Sequence, residues 1–325
     1  VEIRQIDNKE KFTVSKFGFV FPGQGSQKLG MLNELSEKHP SIKATFDIAS
    51  EVLQRDAWEI AQVDSENLLD RTDITQPLLL AASVAIWQAW QEAGGARPTI
   101  LAGHSLGEYS ALVCAEAIGL KDALKLVNRR GLYMQNAVPP GTGKMAAIVG
   151  LDDDAIVRAC DAVAQGEIVS PANFNSKGQT VIAGHAAAVE RAMAACKEAG
   201  AKRALPLNVS VPSHCELMRP AAEELALDLE AIKFSKPKIA VVQNSTAAIV
   251  SDPAQIKANL ISQLYLPVQW VDSVGAIAEF GASRLVECGP GKVLCGLIKR
   301  IDSDIICMGS EDPLDFDSAV AQLPR

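Results

Sequence analysis

The sequence predicts an α/β fold in which a large domain with a mainly parallel sheet carries a smaller, inserted domain. Strand-like apolar runs alternate with helical runs along most of the chain, a pattern typical of a parallel sheet covered on both faces. Residues 143–208 change to the order β-α-β-β-α-β of a ferredoxin-like unit. The chain has 325 residues, 48% of them hydrophobic and 22% charged, so it is long enough to bury a large core.

The large domain is expected to comprise residues 17–142 and 209–325. Its first strand is predicted at residues 17–21, after a polar stretch of residues 1–16 that we interpret as an extension without chemistry. The glycine-rich residues 22–27 follow and offer backbone N–H groups to an anion, although a plain turn is the alternative. The remaining predicted elements are helices near 40–55 and 76–93, a strand at 99–102, helices at 108–113 and 217–232, a strand at 239–243, helices at 253–264 and 268–280, and a strand at 284–287.

The smaller domain is predicted between two hinge-like segments. Proline and glycine residues at 139–143 precede it, and Val-Ser-Val-Pro at 209–212 follows it. Its expected elements are a strand at 145–151, a helix at 153–163, strands at 167–173 and 179–184, a helix at 187–198 and a strand at 203–207. A unit of this kind is compact enough to be inserted into a larger domain.

Charge and hydropathy exclude several classes of function. The net charge of −8, without a dense Lys/Arg stripe, argues against nucleic acid as a partner. The basic pairs at 129–130, 202–203 and 299–300 could each attract an anionic ligand or partner, or simply be solvated. The longest apolar stretch, residues 77–87, is too short to cross a bilayer, and the N-terminus shows no signal pattern. We therefore expect a cytoplasmic protein without a membrane partner.

The cysteine and histidine content predicts neither a disulfide framework nor a metal site. The seven cysteines form no C-x-x-C pair, and most lie in apolar surroundings, which is typical of reduced, buried thiols. With only four histidines, the chain shows no cluster of metal ligands. We expect no metal and no cofactor.

Residues 103–107 read Gly-His-Ser-Leu-Gly between a strand-like run and a helical run. A serine hydroxyl at the apex of a sharp strand-to-helix turn needs neighbours without side chains, so that strand, helix and substrate approach closely. Gly103 and Gly107 meet that need, and Leu106 offers a backbone N–H to an oxyanion. The motif predicts that Ser105 is a nucleophile; an ordinary glycine-rich turn is the alternative.

A serine nucleophile requires a general base, and histidine usually supplies it. His39, at a helix end, and His185, at the start of a helix, are predicted to be structural. His104 precedes the serine, and its side chain should diverge from Ser105 at the turn. His214 is therefore the predicted base, against the alternative of a structural loop histidine. No acidic residue is clearly placed to orient it, so a backbone carbonyl would do so.

Seven motifs, in order along the chain, resemble those of one enzyme family. They are Phe-Pro-Gly-Gln-Gly-Ser-Gln at 21–27, Gly-His-Ser-Leu-Gly-Glu at 103–108, Arg-Gly at 130–131, Gly-Thr-Gly at 141–143, Pro-Ser-His at 212–214, Gln-Leu-Tyr at 263–265 with Pro-Val-Gln-Trp at 267–270, and Gly-Pro-Gly-Lys at 289–292. The family is the malonyl-CoA:acyl carrier protein transacylases of fatty-acid synthesis. The resemblance spans about residues 17–300 and implies a hydrolase-like large domain with a ferredoxin-like small one.

The resemblance assigns a role to each matching residue. It implies that Ser105 carries the malonyl group as an ester and that His214 is its base and later the acid for the leaving thiol. Backbone N–H groups of Gln24 and Leu106 would form the oxyanion hole, with Gln24 also at the substrate. The backbone carbonyl of Gln263 would orient the imidazole.

Arg130 would bind the free carboxylate of malonate. A guanidinium in an apolar pocket makes a bidentate, charge-assisted pair with a carboxylate, and an acetyl group would leave that cation unpaired. A surface arginine beside Arg129 is the alternative. Ser213, before the base, resembles the stand-alone bacterial enzymes, and tolerance of an α-methyl group stays open.

The implied partners are malonyl-CoA as substrate and acyl carrier protein as acceptor, with Lys202-Arg203 or Lys299-Arg300 as candidate docking sites. The expected oligomeric state is a monomer. Two other functions are weighed against this one. A serine esterase or thioesterase of the same fold would release free acid and would not need Arg130. A non-catalytic scaffold that binds carrier protein would not be labelled at Ser105.

Overall fold

The computed structural model describes residues 16–209 and 211–323, so that the expected extension lies outside the described residues except for Lys16. The strands are β1 Lys16–Phe21, β2 Ile100–Gly103, β3 Gly143–Val149, β4 Val169–Ser176, β5 Gln179–His185, β6 Arg203–Pro206, β7 Ala240–Val242, β8 Ala282–Glu287 and β9 Ile306–Gly309. Five of them form a sheet in the order β7-β2-β1-β8-β9, in which every neighbouring pair is parallel. The predicted α/β class with a parallel sheet is confirmed.

Helices lie between the strands of both sheets along the described part of the chain. They are α1 Asn33–Lys38, α2 Ser41–Leu53, α3 Ala57–Gln62, α4 Thr72–Glu92, α5 Gly107–Cys114, α6 Leu120–Asn136, α7 Asp153–Val163, α8 Ala186–Glu198, α9 Arg219–Ala231, α10 Pro253–Gln263, α11 Trp270–Glu279, α12 Val293–Ile301 and α13 Pro313–Gln322. A short 3-10 turn at Glu216–Met218 precedes α9. The sequence analysis did not predict α1, α3, α6, α12, α13 or β9.

Both faces of the parallel sheet are buried. Phe19 and Phe21 of β1 belong to a core shared with α4, α5 and α6, whereas Val20 belongs to a second core shared with α11 and α12. Neighbouring strand residues point to opposite faces, so this division shows that helices cover each side. Such burial explains why the strands read as continuous apolar runs.

The other four strands form an antiparallel sheet in the order β4-β5-β3-β6, with α7 and α8 packed against it. This is the predicted β-α-β-β-α-β unit. A backbone bridge joins Asn173 of β4 to Val268, which lies just before α11, so it connects this unit to the rest of the fold. The predicted boundaries, residues 143–208, stay a prediction, and Ser210 of the second hinge segment lies outside the described residues.

Helix α4 begins at Thr72, four residues earlier than predicted, with Pro77 inside it. Proline has no N–H to donate to the carbonyl four residues before it, which here is that of Asp73. Asn128 Nδ2 donates to the Asp73 carbonyl instead, at 2.8 Å. A side chain from α6 therefore satisfies the group that proline leaves open, which sequence periodicity does not reveal.

Two cysteines differ from expectation. Cys295 of α12 and Cys307 of β9 form a disulfide, with their Cα atoms 5.1 Å apart. The expectation that all cysteines are reduced is wrong for this pair, because the packing of α12 beside β9 brings together two residues without a C-x-x-C spacing. The other five, Cys114, Cys160, Cys196, Cys215 and Cys288, are free and buried.

The carboxyl ends of neighbouring strands gather the loops that carry the predicted chemistry. The loop at 22–27 follows β1, Ser105 follows β2, and Asn244 lies just after β7. Because β7, β2 and β1 are adjacent and parallel, these three segments emerge at one edge of the sheet.

Across the described ranges, no helix combines the length and apolar character that crossing a bilayer requires.

Candidate active site

Ser105 occupies a sharp turn between β2 and α5, and its backbone lies in the left-handed region with φ of 52°. A Cβ at position 103 would come within 1.8 Å of the Gly107 carbonyl carbon, and one at position 107 within 2.0 Å of the Phe21 carbonyl oxygen. Only glycine fits at both positions. The two glycines let strand and helix approach closely enough for the strained serine to project from the turn.

His214 contacts the serine directly. Its Nε2 lies 2.8 Å from Ser105 Oγ, and its Nδ1 lies 2.7 Å from the Gln263 backbone oxygen. Since a carbonyl only accepts, Nδ1 carries the proton, which leaves Nε2 free to accept the serine proton. The backbone N–H of His214 also donates to the Leu264 carbonyl, at 2.9 Å. The geometry is that of a serine–histidine pair oriented by a main-chain carbonyl.

The surroundings of His214 keep its imidazole neutral. The side chain is buried, and this burial, reinforced by the positive charge of Arg130, lowers its pKa to about 3 from the usual 6.5. A histidine with so low a pKa is unprotonated at neutral pH. It is therefore in the form that accepts a proton from a serine hydroxyl.

Arg130 is a buried cation beside the nucleophile. It is 1% exposed, and its Nη2 donates to Ser105 Oγ at 3.3 Å and to Gln263 Oε1 at 3.0 Å, while Nη1 donates to Gln76 Oε1 at 2.7 Å. The guanidinium lies 5.4 Å from the ring centroid of Tyr109. Within the described part of the chain, no carboxylate lies at ion-pair distance from Arg130. Burial lowers the pKa of Arg130 below its ordinary value.

Helix packing brings Arg130 to this position. A Cβ at position 131 would come within 2.5 Å of the Asp73 Cα. Gly131 therefore lets α6 pack closely against the first turn of α4. Gln76, the partner of Arg130, follows directly after this turn in the same helix. The neighbouring Arg129 points elsewhere and pairs with Asp228, 2.6 Å away.

A cavity of about 130 Å³ opens at these groups. Its lining includes the predicted nucleophile, base, carboxylate-binding arginine and both oxyanion residues: Ser105, His214, Arg130, Gln24 and Leu106. Leu106 directly precedes α5, and its backbone N–H makes no hydrogen bond within the described residues, so it can donate to an anion. The Gln24 side chain donates to Thr72 Oγ1 at 3.4 Å. The geometry thus places these five predicted residues at one cavity, and their roles stay predictions.

The other three histidines do not contact the nucleophilic oxygen. His104 lines the same cavity, but its Nε2 lies 2.8 Å from Asn175 Oδ1 rather than at Ser105. His39 packs against the ring of Phe316, with centroids 5.0 Å apart. His185 accepts the Ile168 N–H through Nδ1, at 2.9 Å.

Sequence reasoning missed two residues that hold the site together. Asn244 Oδ1 accepts the Ser105 N–H at 2.6 Å, and its Nδ2 donates to the Gly103 carbonyl at 2.6 Å. Glu108, in the first turn of α5, is fully buried and accepts from the Gln263 side chain at 2.8 Å. The position of Glu108 directly after the serine turn was a usable signal. Asn244 gave none beyond its place after a strand.

One group among the described residues could offer three metal ligands, which the sequence analysis did not predict. The ligand atoms of Glu287, Cys295 and Cys307 lie within 4.8 Å of one another. However, the two sulfurs form the disulfide, and the Glu287 carboxylate accepts the N–H groups of Leu294 and Cys295 at 3.0 and 2.8 Å. The carboxylate therefore caps α12, and these contacts explain the group without an ion.

The fold and this geometry define a serine-dependent enzyme of acyl chemistry. A nucleophile in a strand-to-helix turn, a neutral histidine and the backbone N–H of Leu106 at one cavity can form and resolve an acyl-serine ester. The chain matches the family of the acyl transferase domain over residues 18–301, and it belongs to that family. The predicted family is confirmed.

Relatives within this family share one name. The malonyl CoA-acyl carrier protein transacylase of Salmonella typhimurium is 54% identical over 309 residues, covering 95% of this chain and 100% of that protein. The protein of the same name from Bacillus subtilis is 43% identical over 311 residues, covering 95% and 98%.

Solved structures agree with these relatives. A type II PKS acyl-carrier protein in complex with its malonyl-transacylase matches with a TM-score of 0.93 and 55% identity, covering 94% of this chain and 99% of that one. An acyl carrier protein S-malonyltransferase from Vibrio cholerae matches with a TM-score of 0.92 and 56% identity, with the same coverage.

Proposed function

We propose that the protein transfers a malonyl group from malonyl-CoA to the phosphopantetheine thiol of acyl carrier protein, through an ester on Ser105. The observation that carries this proposal is Arg130, a buried guanidinium 3.3 Å from the nucleophilic oxygen with no carboxylate at ion-pair distance among the described residues. Glu108 acts on Arg130 only at longer range, and a buried cation without a direct ion pair is costly, so a substrate carboxylate would supply the missing partner. The names of the relatives support the same substrate and acceptor.

The first half-reaction forms the acyl-enzyme. Ser105 Oγ attacks the thioester carbonyl while its proton passes to Nε2 of His214. The carbonyl oxygen becomes an oxyanion, which accepts hydrogen bonds from the backbone N–H groups of Leu106 and Gln24. When the C–S bond breaks, the proton on His214 goes to the sulfur of CoA, and the malonyl group remains on the serine.

The second half-reaction reverses these roles. The phosphopantetheine thiol gives its proton to His214 and attacks the ester carbonyl. The oxyanion again accepts the two backbone N–H groups, and the C–O bond to Ser105 breaks as the proton returns to Oγ. Throughout, Arg130 holds the malonyl carboxylate, so that the ester carbonyl stays in place for the incoming thiol.

Hydrolysis is the competing outcome, because water could attack the same ester. Met134, Met145 and Val211 contribute apolar surface to the cavity. Apolar walls disfavour a well-positioned water but suit the methylene and thiol groups of a phosphopantetheine arm. In this proposal CoA is part of the substrate, and the chemistry requires no further cofactor.

Intact-mass analysis tests the proposal. The protein is mixed separately with malonyl-CoA, acetyl-CoA and methylmalonyl-CoA, and a holo acyl carrier protein is then added. We expect a malonyl adduct that disappears as the carrier gains the same mass, and no adduct in Ser105→Ala. Release of free malonate without a gain in carrier mass would instead identify a thioesterase. Absence of any adduct would favour a non-catalytic scaffold.

A further inference from the structure

Glu108 is a buried acidic residue that the proposed reaction does not use. It lies in the first turn of α5, three residues after the nucleophile, and is 0% exposed. Its Oε2 accepts two hydrogen bonds, from Gln263 Nε2 at 2.8 Å and from the Asn244 backbone N–H at 2.9 Å. Its Oε1 has no hydrogen-bond partner among the described residues. A buried carboxylate with this arrangement requires an explanation.

Both partners of Glu108 hold the reacting groups. Gln263 contacts Arg130 through Oε1, at 3.0 Å, and His214 through its backbone oxygen, at 2.7 Å. Asn244 contacts the backbone of the serine turn, at the Ser105 N–H and the Gly103 carbonyl. The Glu108 side chain is thus linked to the base, the cation and the serine turn through one intervening residue in each case. It does not line the cavity itself.

The orientation of the Gln263 amide is the consequential point. An amide has a donor end and an acceptor end, and its neighbours decide which end faces which way. Because a carboxylate accepts, Glu108 draws the NH₂ group of Gln263 toward α5, where it also donates to the Ser105 carbonyl at 3.1 Å. The Oε1 atom of Gln263 then faces the guanidinium. With the amide reversed, an NH₂ group would face Arg130 and repel it.

We propose that Glu108 is a positioning residue for acyl transfer, which acts through Gln263 to hold Arg130 in line with the substrate carboxylate and His214 in line with Ser105. This inference rests on the proposed function, because it concerns the same site. We expect the hydrogen bonds to contribute more to this effect than the charge, which also acts on Arg130. Both hydrogen bonds go to Oε2, and the proton of a neutral carboxyl group can reside on the unpartnered Oε1.

Two substitutions separate the hydrogen bonds from the charge. Glu108→Gln removes the charge but keeps an oxygen that can accept from Gln263. Glu108→Met has a similar shape and no comparable acceptor. A matched control is Glu287 at the end of β8, another fully buried carboxylate, which accepts two backbone N–H groups of α12 and does not line the cavity. Glu287→Met tests what loss of a buried carboxylate does in general.

The measurements are kcat and KM for malonyl-CoA, the ratio of malonyl to acetyl transfer, and the rate at which Ser105 reacts with a fluorophosphonate. For Glu108→Met we expect a loss in kcat/KM for malonyl transfer of roughly 100-fold, with a raised KM, since small misplacements of catalytic groups have effects of this size. The malonyl-to-acetyl ratio should fall about tenfold, and labelling of Ser105 should slow. Glu108→Gln should restore all three to within about fivefold of wild type.

A folded Glu108→Met protein with the wild-type ratio, KM and labelling rate would overturn the inference. So would a Glu287→Met protein that changes the ratio by the same factor. If Glu108→Met does not fold, Glu108→Gln decides the question. A lowered malonyl-to-acetyl ratio together with slow labelling of Ser105 in Glu108→Gln would overturn the inference, because the charge and not the hydrogen bond would then be needed. Wild-type protein that labels with fluorophosphonate but transfers no malonyl group would contradict the proposed function, while the labelling rates still test Glu108.

Discussion

Replacing Arg130 with alanine separates recognition of the malonyl carboxylate from the chemistry at the serine. The guanidinium is buried, and the carboxylate of malonate would accept two charge-assisted hydrogen bonds from it. At roughly 1.5–3 kcal/mol each, these amount to about 3–6 kcal/mol. One factor of ten in rate corresponds to about 1.4 kcal/mol, so the loss in kcat/KM for malonyl-CoA should be about two to four orders of magnitude.

Acetyl transfer should respond differently to the same change. An acetyl group has no carboxylate, so it loses none of this energy, and the contact between Ser105 and His214 does not pass through Arg130. We expect acetyl kcat/KM to change by less than about tenfold. The assay follows CoA release or carrier acylation with each donor at matched enzyme concentrations.

Arg129→Ala is the matched control for this experiment. Arg129 is adjacent in the chain but exposed, and it pairs with Asp228. Its replacement should leave both activities within about twofold, because exposed ion pairs contribute little. Equal losses of malonyl and acetyl transfer in Arg130→Ala would refute the assignment, because loss of carboxylate recognition must lower malonyl transfer more than acetyl transfer.

Three further outcomes are expected. Burial raises the pKa of Glu108 from 4.5 to about 7, so the folded state binds more protons than the unfolded state between these two pH values. The free energy of unfolding is therefore lower by roughly 3 kcal/mol above pH 7 than below pH 4.5, because Glu108 is then ionised. The Tm of Glu108→Gln relative to wild type should therefore become more positive from pH 5 to pH 8; a difference that does not vary with pH would contradict this. Gly107→Ala should abolish soluble expression or Ser105 labelling, because its Cβ would lie 2.0 Å from the Phe21 carbonyl oxygen. Asn128→Ala should lower the free energy of unfolding by about 1–3 kcal/mol with kcat unchanged, because it leaves a buried carbonyl unpaired; an unchanged denaturation midpoint would argue against that role.

Local patterns along the chain were sufficient to predict the serine turn and much of the fold. The serine turn depends on residues within five positions of one another, and the β-α-β-β-α-β unit depends on periodicity within single elements. His214 followed from elimination among four histidines. These inferences required no knowledge of distant contacts, which explains why the sequence sufficed.

The contacts that support the site are different in kind. Asn244 lies 139 residues from Ser105, and Glu108 lies 155 residues from Gln263, yet each pair is hydrogen-bonded. Amide and carboxylate side chains have no characteristic spacing around a serine, so no pattern in the sequence marks them. Their roles become visible only when the parallel sheet places the ends of β2 and β7 side by side.

Arg129 and Arg130 show the same limit on a small scale. Adjacent residues on a helix point about 100° apart, so one can be buried while its neighbour is exposed. The sequence could not distinguish them without the orientation of α6, and α6 itself was not predicted. Only the resemblance to the transacylase family selected Arg130.

The charges at the site link substrate selection to catalysis. The positive charge of Arg130 contributes to the low pKa of His214, so that the base of the free enzyme is neutral but weak. A malonyl carboxylate on Arg130 would cancel that charge and make His214 a stronger base at the moment when its substrate is in place. An acetyl group would not. In the proposed reaction, therefore, the same guanidinium that recognises the donor also withholds part of the basicity of the histidine until the correct donor is bound.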